Sequence, residues 1–355
     1  MSGTSLDGLD ISLIKSDGIK KITSSYNITY KYSQQIKDDI SFLIKKINKN
    51  QSFNFSSIEE KINDIFLQKI KLYLKKFNIK KSEIDIIGLH GQTILHKPKK
   101  NISIQIGCGK FLAKALKIPV VSNFRNADIK KGGQGAPLVP IFHKAIFEKK
   151  KISTAVINIG GISNITWIGD NNKIYSTDIG PGNVLIDQFC MTYYNIPFDR
   201  NGKLAKKGKI NKSIVSEWMN LPFVKKKLPK SFDNYTFKIE NYITKAKKVD
   251  KNILANLTMY SAKLIADISK YFPQTDRWII CGGGALNKQM MKNLKSLLLN
   301  VEPSEKYGWD SKFIESQAFA YLAIRKLKKL PSTFKSTTGT SKPVVCGELF
   351  SPIKK

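Results

Sequence analysis

Residues 156–189 read VINIGGISNITWIGDNNKIYSTDIGPGNVLIDQF, and this stretch decides the fold. Apolar residues at 156–159, 165–168 and 174–177 predict three strands, because each run is short and is bounded by glycine or by Asp and Asn. The apolar run at 184–189 predicts a helix after a sharp bend at Gly180-Pro181-Gly182. The stretch therefore predicts a strand, a Gly-Gly turn, two further strands and a helix.

Two features of this stretch suggest chemistry. The Gly160-Gly161 turn lets backbone N–H groups approach an anion. Asp178 ends the third strand beside the glycine bend, where its carboxylate can take a proton from a reacting group. A tight hairpin followed by a capped helix, with no catalytic role, remains the alternative interpretation.

Length and composition limit the classes of protein. The chain has 355 residues, of which 41% are hydrophobic, and this fits two folded domains of moderate size. Its four cysteines are widely spaced without a C-x-x-C pair, which predicts a reducing compartment and argues against zinc knuckles and disulfides. The first residues do not resemble a signal peptide, and no apolar run reaches the roughly 18 residues of a membrane span. We therefore expect a cytoplasmic protein.

The net charge of +33 raises the question of an anionic partner. Only four of the 60 basic residues are arginine, and the lysines are spread along the whole chain without a recognisable nucleic-acid-binding motif. A codon bias toward AT-rich sequence explains the lysine, isoleucine and asparagine content. The sequence thus predicts neither a nucleic acid nor a membrane partner.

The first ten residues, MSGTSLDGLD, look built around an anion. Gly3 and Gly8 permit close backbone approach, and the hydroxyls of Thr4 and Ser5 can donate to phosphate oxygens. Asp7 can hold Mg²⁺ directly or through water. The motif lacks the lysine of a P-loop, so a plain polar turn is the alternative.

Polar residues that follow other predicted strands suggest a ligand cleft. His90 and Gln92 come directly after the apolar run 84–89, and such positions commonly line a cleft. Arg125 and Asp128 lie in a predicted loop and suit a substrate with a carboxylate and hydroxyls. A structural histidine and a surface salt bridge are the alternatives.

A third glycine site follows the strand predicted at 277–280. Gly282, Gly283 and Gly284 offer bare backbone against which a nucleoside can lie. Glu315 lies in a helix predicted at 313–330. Asp250 is expected to cap a long helix that extends to about residue 271.

The sequence resembles the anhydro-N-acetylmuramic acid kinase family, of the acetate and sugar kinase, Hsp70 and actin superfamily, over nearly its whole length. The segments that carry the resemblance are MSGTSLDGLD, LHGQTILHKP, FRNADIKKGGQGAPLVPIFH, VINIGGISNI, DIGPGNVLID, IICGGGALN and ESQAFAYLA. The resemblance implies an α/β protein with two ribonuclease-H-like domains around a nucleotide-binding cleft. We expect the first domain at 1–125, completed by 331–355, and the second at 126–330.

The resemblance also implies a reaction and a set of site residues. The family uses ATP and Mg²⁺ to open the 1,6-anhydro ring of its sugar with water and to phosphorylate O6 during peptidoglycan recycling. Asp178 would be the base, Asp7 the metal ligand, and His90, Gln92, Arg125, Asp128 and Glu315 the sugar ligands. The nucleotide would contact Gly3, Thr4, Ser5, Leu6, Asp7, Gly8, Leu9, Asp10, Gly160, Gly161 and Gly282 to Gly284. The oligomeric state stays open, with a homodimer as one alternative.

Two features depart from the family pattern. Family members carry residues ahead of the MSGTS segment that supply a first strand, which predicts a shortened copy or a misassigned start here. A K-S-T-G-R-E-like segment of the family is replaced by KSFDNY at 230–235. These departures keep two other hypotheses open, a non-catalytic nucleotide-binding relative and a kinase of another small sugar.

Overall fold

The computed structural model describes residues 1–3, 6–49, 51–170, 173–232, 236–243 and 250–352. The chain divides into two compact units. Unit 1 comprises Met1–Ile146 together with Glu315–Lys355, and unit 2 comprises Phe147–Ile314.

Strands and helices are interspersed along the first half of the chain. The elements are β1 (Gly8–Ser16), β2 (Ile22–Lys31), α1 (Gln34–Asn48), α2 (Ser56–Lys76), β3 (Ile87–Gly88), β4 (Gln92–Lys97), β5 (Ile102–Ile106), α3 (Gly109–Leu116), β6 (Val120–Ser122), α4 (Phe124–Ile129) and α5 (Pro140–Phe147). The helix α1 begins after Ser33, whose side chain accepts the N–H of Ile36, an N-cap that satisfies one of the unpaired donors of the first turn.

The second half begins with the predicted strands. Its elements are β7 (Thr154–Ile159), β8 (Ile162–Ile168), β9 (Ile174–Pro181), α6 (Val184–Tyr194), α7 (Lys212–Met219), α8 (Glu240–Ile243), α9 (Lys251–Asp267), β10 (Arg277–Cys281), α10 (Lys288–Leu297), β11 (Val301–Pro303), α11 (Ile314–Leu327), α12 (Lys335–Thr338) and β12 (Glu348–Phe350). The three strands and the helix predicted within 156–189 are confirmed. Asp250 caps α9 as predicted, since its side chain accepts the N–H of Asn252.

Unit 2 is built on a five-stranded sheet in the order β11-β10-β7-β8-β9. Two antiparallel hairpins join β7, β8 and β9, while β10 and β11 run parallel to β7 on its other side. All six residues of β7 are buried, as expected of a central strand. The long helix α9 packs on this sheet, and Leu257, Tyr260 and Ile265 are fully buried in the core.

Unit 1 carries shorter sheets. The strands pair as β1-β2, β4-β5 and β12-β6-β3. Ser2 forms isolated bridges with Leu9 in β1 and with Gln92 in β4, so the first residues lie between these two pairs. A core of residues from α1, α2, α3 and the neighbouring strands packs beneath. The α/β class predicted for the chain is confirmed.

The helix α11 belongs to unit 1 because of its packing. Phe319 packs on the rings of Phe124 and His90, and a Cβ on Gly88 would clash with the carbonyl of Phe319. The division into units therefore falls after residue 146 and before residue 315, whereas the sequence suggested 125/126 and 330/331.

Two further observations concern the sequence predictions. The segment with Arg125 and Asp128, expected to be a loop, is the short helix α4. It follows Asn123, which adopts a left-handed conformation that asparagine tolerates better than most residues. In the described ranges, every helix is too short or too polar to cross a membrane.

Candidate active site

Unit 2 brings its predicted site residues to one end of one sheet. β7 and β10 are parallel neighbours, with Asn158 opposite Cys281, so the Gly160-Gly161 turn and Gly282 follow adjacent strand ends. Because β8 is antiparallel to both of its neighbours, β9 ends at the same edge with Asp178 and the glycine bend. The carboxyl ends of parallel strands are a common place for ligand sites.

The Gly160-Gly161 turn is fixed by the start of α6. Asn183 donates its N–H to the Gly160 carbonyl at 2.9 Å, and Gly182 and Val184 donate to the Gly161 carbonyl at 2.8 and 3.1 Å. A Cβ on Gly182 would lie 2.5 Å from the Gly160 carbonyl oxygen, so this position needs glycine. The N–H groups of Gly182, Asn183 and Val184, which lead into α6, thus hold the turn.

The triple glycine has two closed positions and one open position. Gly282 has a φ of +77°, and a Cβ there would clash with the Asn158 side chain. A Cβ on Gly284 would clash with Ile159. At the exposed Gly283 the nearest heavy atom to a Cβ would be Asn183 Nδ2, at 3.9 Å. Gly282 and Gly284 therefore let this loop pack against β7, and Gly283 presents bare backbone.

Asp178 is half-buried and lies beside a β-bulge. Asn164 pairs with Asp178 and the adjacent Ser163 with Gly180, so Ile179 is the extra residue. Bulges re-aim side chains and are common beside active sites. The Oδ2 atom of Asp178 accepts the backbone N–H of Phe232 at 2.8 Å. Residues 230–232 thus contact the proposed base.

In unit 1 the N-terminal loop is pinned by Ser2. Its hydroxyl lies 2.5 Å from Gln92 Oε1 and 2.8 Å from the Tyr32 hydroxyl, and all three side chains are buried. Burial raises the pKa of Tyr32 to about 12, so this residue stays a neutral partner. Gln92 therefore supports the loop, a function that sequence reasoning did not assign to it.

The acidic residues of this loop differ in their surroundings. Asp7 is exposed, and its backbone carbonyl accepts the N–H of Tyr32 at 3.2 Å. Asp10 accepts the Thr29 hydroxyl at 2.5 Å. Burial lowers the pKa of the Met1 amino group to about 6, while the nearby carboxylates of Asp10 and Glu315 act in the opposite direction. Glu315, in the first turn of α11, therefore lies close to this loop. Gly3 and Leu6 belong to the loop itself, and the predicted Thr4 and Ser5 lie outside the described residues.

His90 and Gly135 both contact the Arg125 guanidinium. Its Nε and Nη2 atoms lie 3.2 and 3.0 Å from His90 Nε2, and Nη1 donates to the Gly135 carbonyl at 2.9 Å. His90 Nδ1 lies 2.9 Å from the Gly91 carbonyl and so carries the proton, which leaves Nε2 as an acceptor. Burial, aided by the positive charge of Arg125, keeps the pKa of His90 well below its ordinary value. A neutral His90 therefore orients the guanidinium.

Asp128 ties the glycine loop to a distant helix. It is fully buried, Oδ2 accepts the N–H of Gly135 at 2.6 Å, and Oδ1 accepts the Thr338 hydroxyl at 2.7 Å. Gln134 also donates its N–H to the Thr338 carbonyl at 2.8 Å. We call this set, Asp128, Gly135 and Thr338, the Asp128 network. It fixes the carbonyl that holds Arg125.

Sequence reasoning missed Thr338 and Phe232 for different reasons. Thr338 lies 210 residues from Asp128, and nothing in its local sequence marks it. Phe232 acts through its backbone, which any residue except proline supplies. The nearest available signal was that the altered segment 230–235 departs from the family pattern.

The described part of the chain holds no group of three or more His, Cys, Asp or Glu side chains arranged to bind a metal ion. Mg²⁺ commonly takes only one or two protein carboxylates, with substrate phosphates and water as its other ligands. The exposed carboxylate of Asp7 fits that kind of site.

Comparisons with known proteins concern the whole chain. A sequence model of a family described as anhydro-N-acetylmuramic acid kinase matches residues 1–352. A curated protein of that name from Methylobacterium nodulans is 35% identical over 371 residues, covering 99% of this chain and 98% of the relative. One from Bradyrhizobium diazoefficiens is 36% identical over 363 residues, again covering 99% and 98%.

A solved structure shows a weaker likeness. The activator of the 2-hydroxyisocaproyl-CoA dehydratase from Clostridium difficile with bound ADPNP aligns with a TM-score of 0.41 and 12% identity, covering 88% of this chain and 90% of that one. This score is too low to support an argument about the present site.

Proposed function

The chain belongs to the anhydro-N-acetylmuramic acid kinase family, and we propose that it uses ATP to open the ring of 1,6-anhydro-N-acetylmuramic acid and to phosphorylate O6. The products are N-acetylmuramic acid 6-phosphate and ADP, and the reaction belongs to peptidoglycan recycling. The observation that carries the proposal is the family match over residues 1–352. A match of this extent fits an ATP-dependent phosphotransferase rather than a decayed nucleotide-binding relative or a kinase of an unrelated sugar.

The nucleotide contacts are assigned from the backbone of each unit. In unit 2 the Gly160-Gly161 turn offers backbone to the phosphates, and its rigid attachment to α6 limits the reorganisation that binding requires. Gly283 is assigned to the adenosine, because a Cβ there would have Asn183 Nδ2 as its nearest neighbour, at 3.9 Å. In unit 1 the loop of residues 3–10 is assigned to the phosphates.

Asp7 is the proposed magnesium ligand. Its exposed carboxylate suits an ion whose other ligands are phosphate oxygens and water. When bound, Mg²⁺ neutralises charge on the phosphates and favours transfer of the γ-phosphoryl group. Asp10 is less suited to direct coordination, since its carboxylate already accepts the Thr29 hydroxyl.

Asp178 is the proposed general base. It takes a proton from a water molecule as the water oxygen bonds to C1 of the sugar. The C1–O6 bond breaks, and its electron pair stays on O6. O6 then attacks the γ-phosphorus in line, and the bond from that phosphorus to ADP breaks.

The sugar contacts are assigned to Arg125 and Glu315, with support from the residues behind them. A guanidinium matches a carboxylate with paired hydrogen bonds, and the muramic acid lactyl group carries such a carboxylate. His90 and the Asp128 network hold Arg125 in position, so we assign His90 and Asp128 to positioning. The prediction that these two residues contact the sugar directly stays a prediction.

Mass analysis of the product tests this function. ATP and 1,6-anhydro-N-acetylmuramic acid in ¹⁸O-water should yield ADP and N-acetylmuramic acid 6-phosphate that carries the label on C1 and none in the phosphate. A reaction without sugar is the control for simple ATP hydrolysis. Label in the phosphate, or ADP release that does not require the sugar, would overturn the proposal.

A further inference from the structure

Residues 230–232 form a strap against the end of β9. Asp178 donates its backbone N–H to the Lys230 carbonyl at 3.1 Å, and Lys230 donates its own N–H to Thr177 Oγ1 at 2.6 Å. Two residues further on, the N–H of Phe232 reaches Asp178 Oδ2 at 2.8 Å. The strap therefore contacts both the backbone and the carboxylate of the proposed base.

The strap is anchored on both sides. The Phe232 ring packs on Phe223 and Phe237, with ring centroids 5.7 and 5.3 Å apart. Phe237 is 3% exposed and belongs to the core of unit 2. The Lys230 ammonium donates to the Val224 carbonyl at 2.8 Å. These contacts fix the position of the Phe232 N–H independently of Asp178.

We propose that Phe232 is a positioning residue for the reaction, and that its backbone N–H holds the Asp178 carboxylate in the orientation in which it takes the proton from water. The inference rests on the proposed role of Asp178 as the base. A hydrogen bond from a backbone N–H to an ionised carboxylate is among the stronger ones in proteins and fixes the rotation of the carboxylate about its χ2 angle. A carboxylate that is rotated away from the proton it must accept loses much of its effect on the rate.

The proposal also bears on the altered segment. The contact uses the main chain, so the donor does not depend on which side chain residue 232 carries, proline excepted. The phenyl ring adds an apolar anchor to the strap. Of this segment, residues 233–235 lie outside the described part of the chain, and the proposal uses only Lys230 and Phe232.

Phe232→Pro removes the N–H, and Phe232→Leu is the matched control that keeps it. Loss of one hydrogen bond to a charged group should lower kcat of Phe232→Pro by about 10- to 100-fold, with KM for ATP changed by less than about 2-fold. Phe232→Leu should lose less than about 3-fold in kcat. Equal kcat values for the two variants would overturn the proposal.

A double variant separates this inference from the proposed function. If Phe232 acts through Asp178, Phe232→Pro should cause no further loss of kcat in an Asp178→Asn background. An additional loss of the same size in that background would mean that Phe232 acts elsewhere, and would overturn the inference. Near-full turnover of Asp178→Asn alone would instead remove the proposed base.

If the proline variant does not fold, a substitution at Thr177 tests the same strap. Thr177→Val removes the oxygen that accepts the Lys230 N–H, and Thr177→Ser retains it. A loosened strap should lower kcat of Thr177→Val with ADP affinity unchanged, and serine should restore kcat. Unchanged kcat in a folded Thr177→Val protein would overturn the inference.

Discussion

Thr338→Val tests whether the Asp128 network holds the arginine proposed to bind the sugar. The Thr338 hydroxyl donates to Asp128 Oδ1 at 2.7 Å, and the two residues are 2% and 0% exposed. Valine has nearly the same shape, so the change removes a hydrogen bond to a buried carboxylate without opening a cavity. The free energy of unfolding should fall by about 1.5–3 kcal/mol, the usual value for a bond to a charged group. At about 2–4 °C per kcal/mol for a domain of this size, the Tm of unit 1 should fall by about 3–12 °C.

The same change should weaken sugar binding. Asp128 Oδ2 holds the Gly135 N–H, and the Gly135 carbonyl holds Arg125 Nη1 at 2.9 Å. Without the Thr338 hydroxyl, the Asp128 carboxylate holds Gly135 less firmly. The Arg125 guanidinium then loses the fixed position of the Gly135 carbonyl that accepts its hydrogen bond. KM for the anhydro sugar should rise about 10-fold, because a misplaced guanidinium binds the sugar carboxylate less well. The affinity for an ATP analogue should stay unchanged. Thermal melts and steady-state kinetics measure both effects.

Two neighbouring variants serve as controls. Thr338→Ser keeps the hydroxyl and should restore most of the Tm and KM. The Thr340 side chain is fully buried beside the same glycine loop, and its hydroxyl has no hydrogen-bond partner within the described ranges. Thr340→Val should therefore be neutral or slightly stabilising. Equal losses for Thr338→Val and Thr340→Val, or wild-type behaviour of Thr338→Val, would refute the role of the network.

Three further predictions concern Asp178, Asp7 and His96. Asp178→Asn should keep its Tm and nucleotide affinity but lose on the order of 10²- to 10⁴-fold in kcat, the usual effect of a positioned base; near-full turnover would exclude that role. Asp7→Ala should raise the Mg²⁺ concentration needed for half-maximal rate while sugar affinity, measured by calorimetry, stays the same; an unchanged metal dependence would remove Asp7 from the site. Burial and the charge of Arg125 lower the pKa of His96 to about 4, so the folded protein keeps this ring neutral while the unfolded chain takes up a proton below about pH 6.5. The contribution of His96 to stability is therefore full above pH 6.5 and is lost as the pH falls toward 4. His96→Gln should reduce the loss of unfolding free energy between these pH values, measured by urea titration. Parallel pH curves for the variant and the wild type would contradict this.

Local sequence was sufficient for the elements around 156–189. Short β-branched runs, a Gly-Gly turn and a Gly-Pro-Gly bend predicted β7, β8, β9 and α6, because these signals act on neighbouring residues. Asp250 was identified as an N-cap for the same reason. The family motifs, read together, also predicted Asp178, Arg125 and the three glycine segments as parts of the site.

Local sequence misled where packing outweighed it. The segment with Arg125 and Asp128 suggested a loop, and it is the helix α4, whose buried Phe124 packs on Phe319 of α11. The triple glycine predicted bare backbone for a nucleoside, and that role stays a prediction. In the structure Gly282 and Gly284 are needed for close packing on β7, and only Gly283 is open.

The sequence by itself determined which chemical groups are present and where they lie along the chain. The tertiary structure determined what each group contacts. Asp128 meets Thr338 across 210 residues, and the Asp178 carboxylate meets the N–H of Phe232 across 54. A hydrogen bond acts over about 3 Å and requires a particular angle, whereas a sequence pattern reports only neighbours within a turn or a strand. Contacts of this kind arise when helices and strands distant in the chain pack together, so only the fold determined the orientation of the Asp178 and Arg125 side chains.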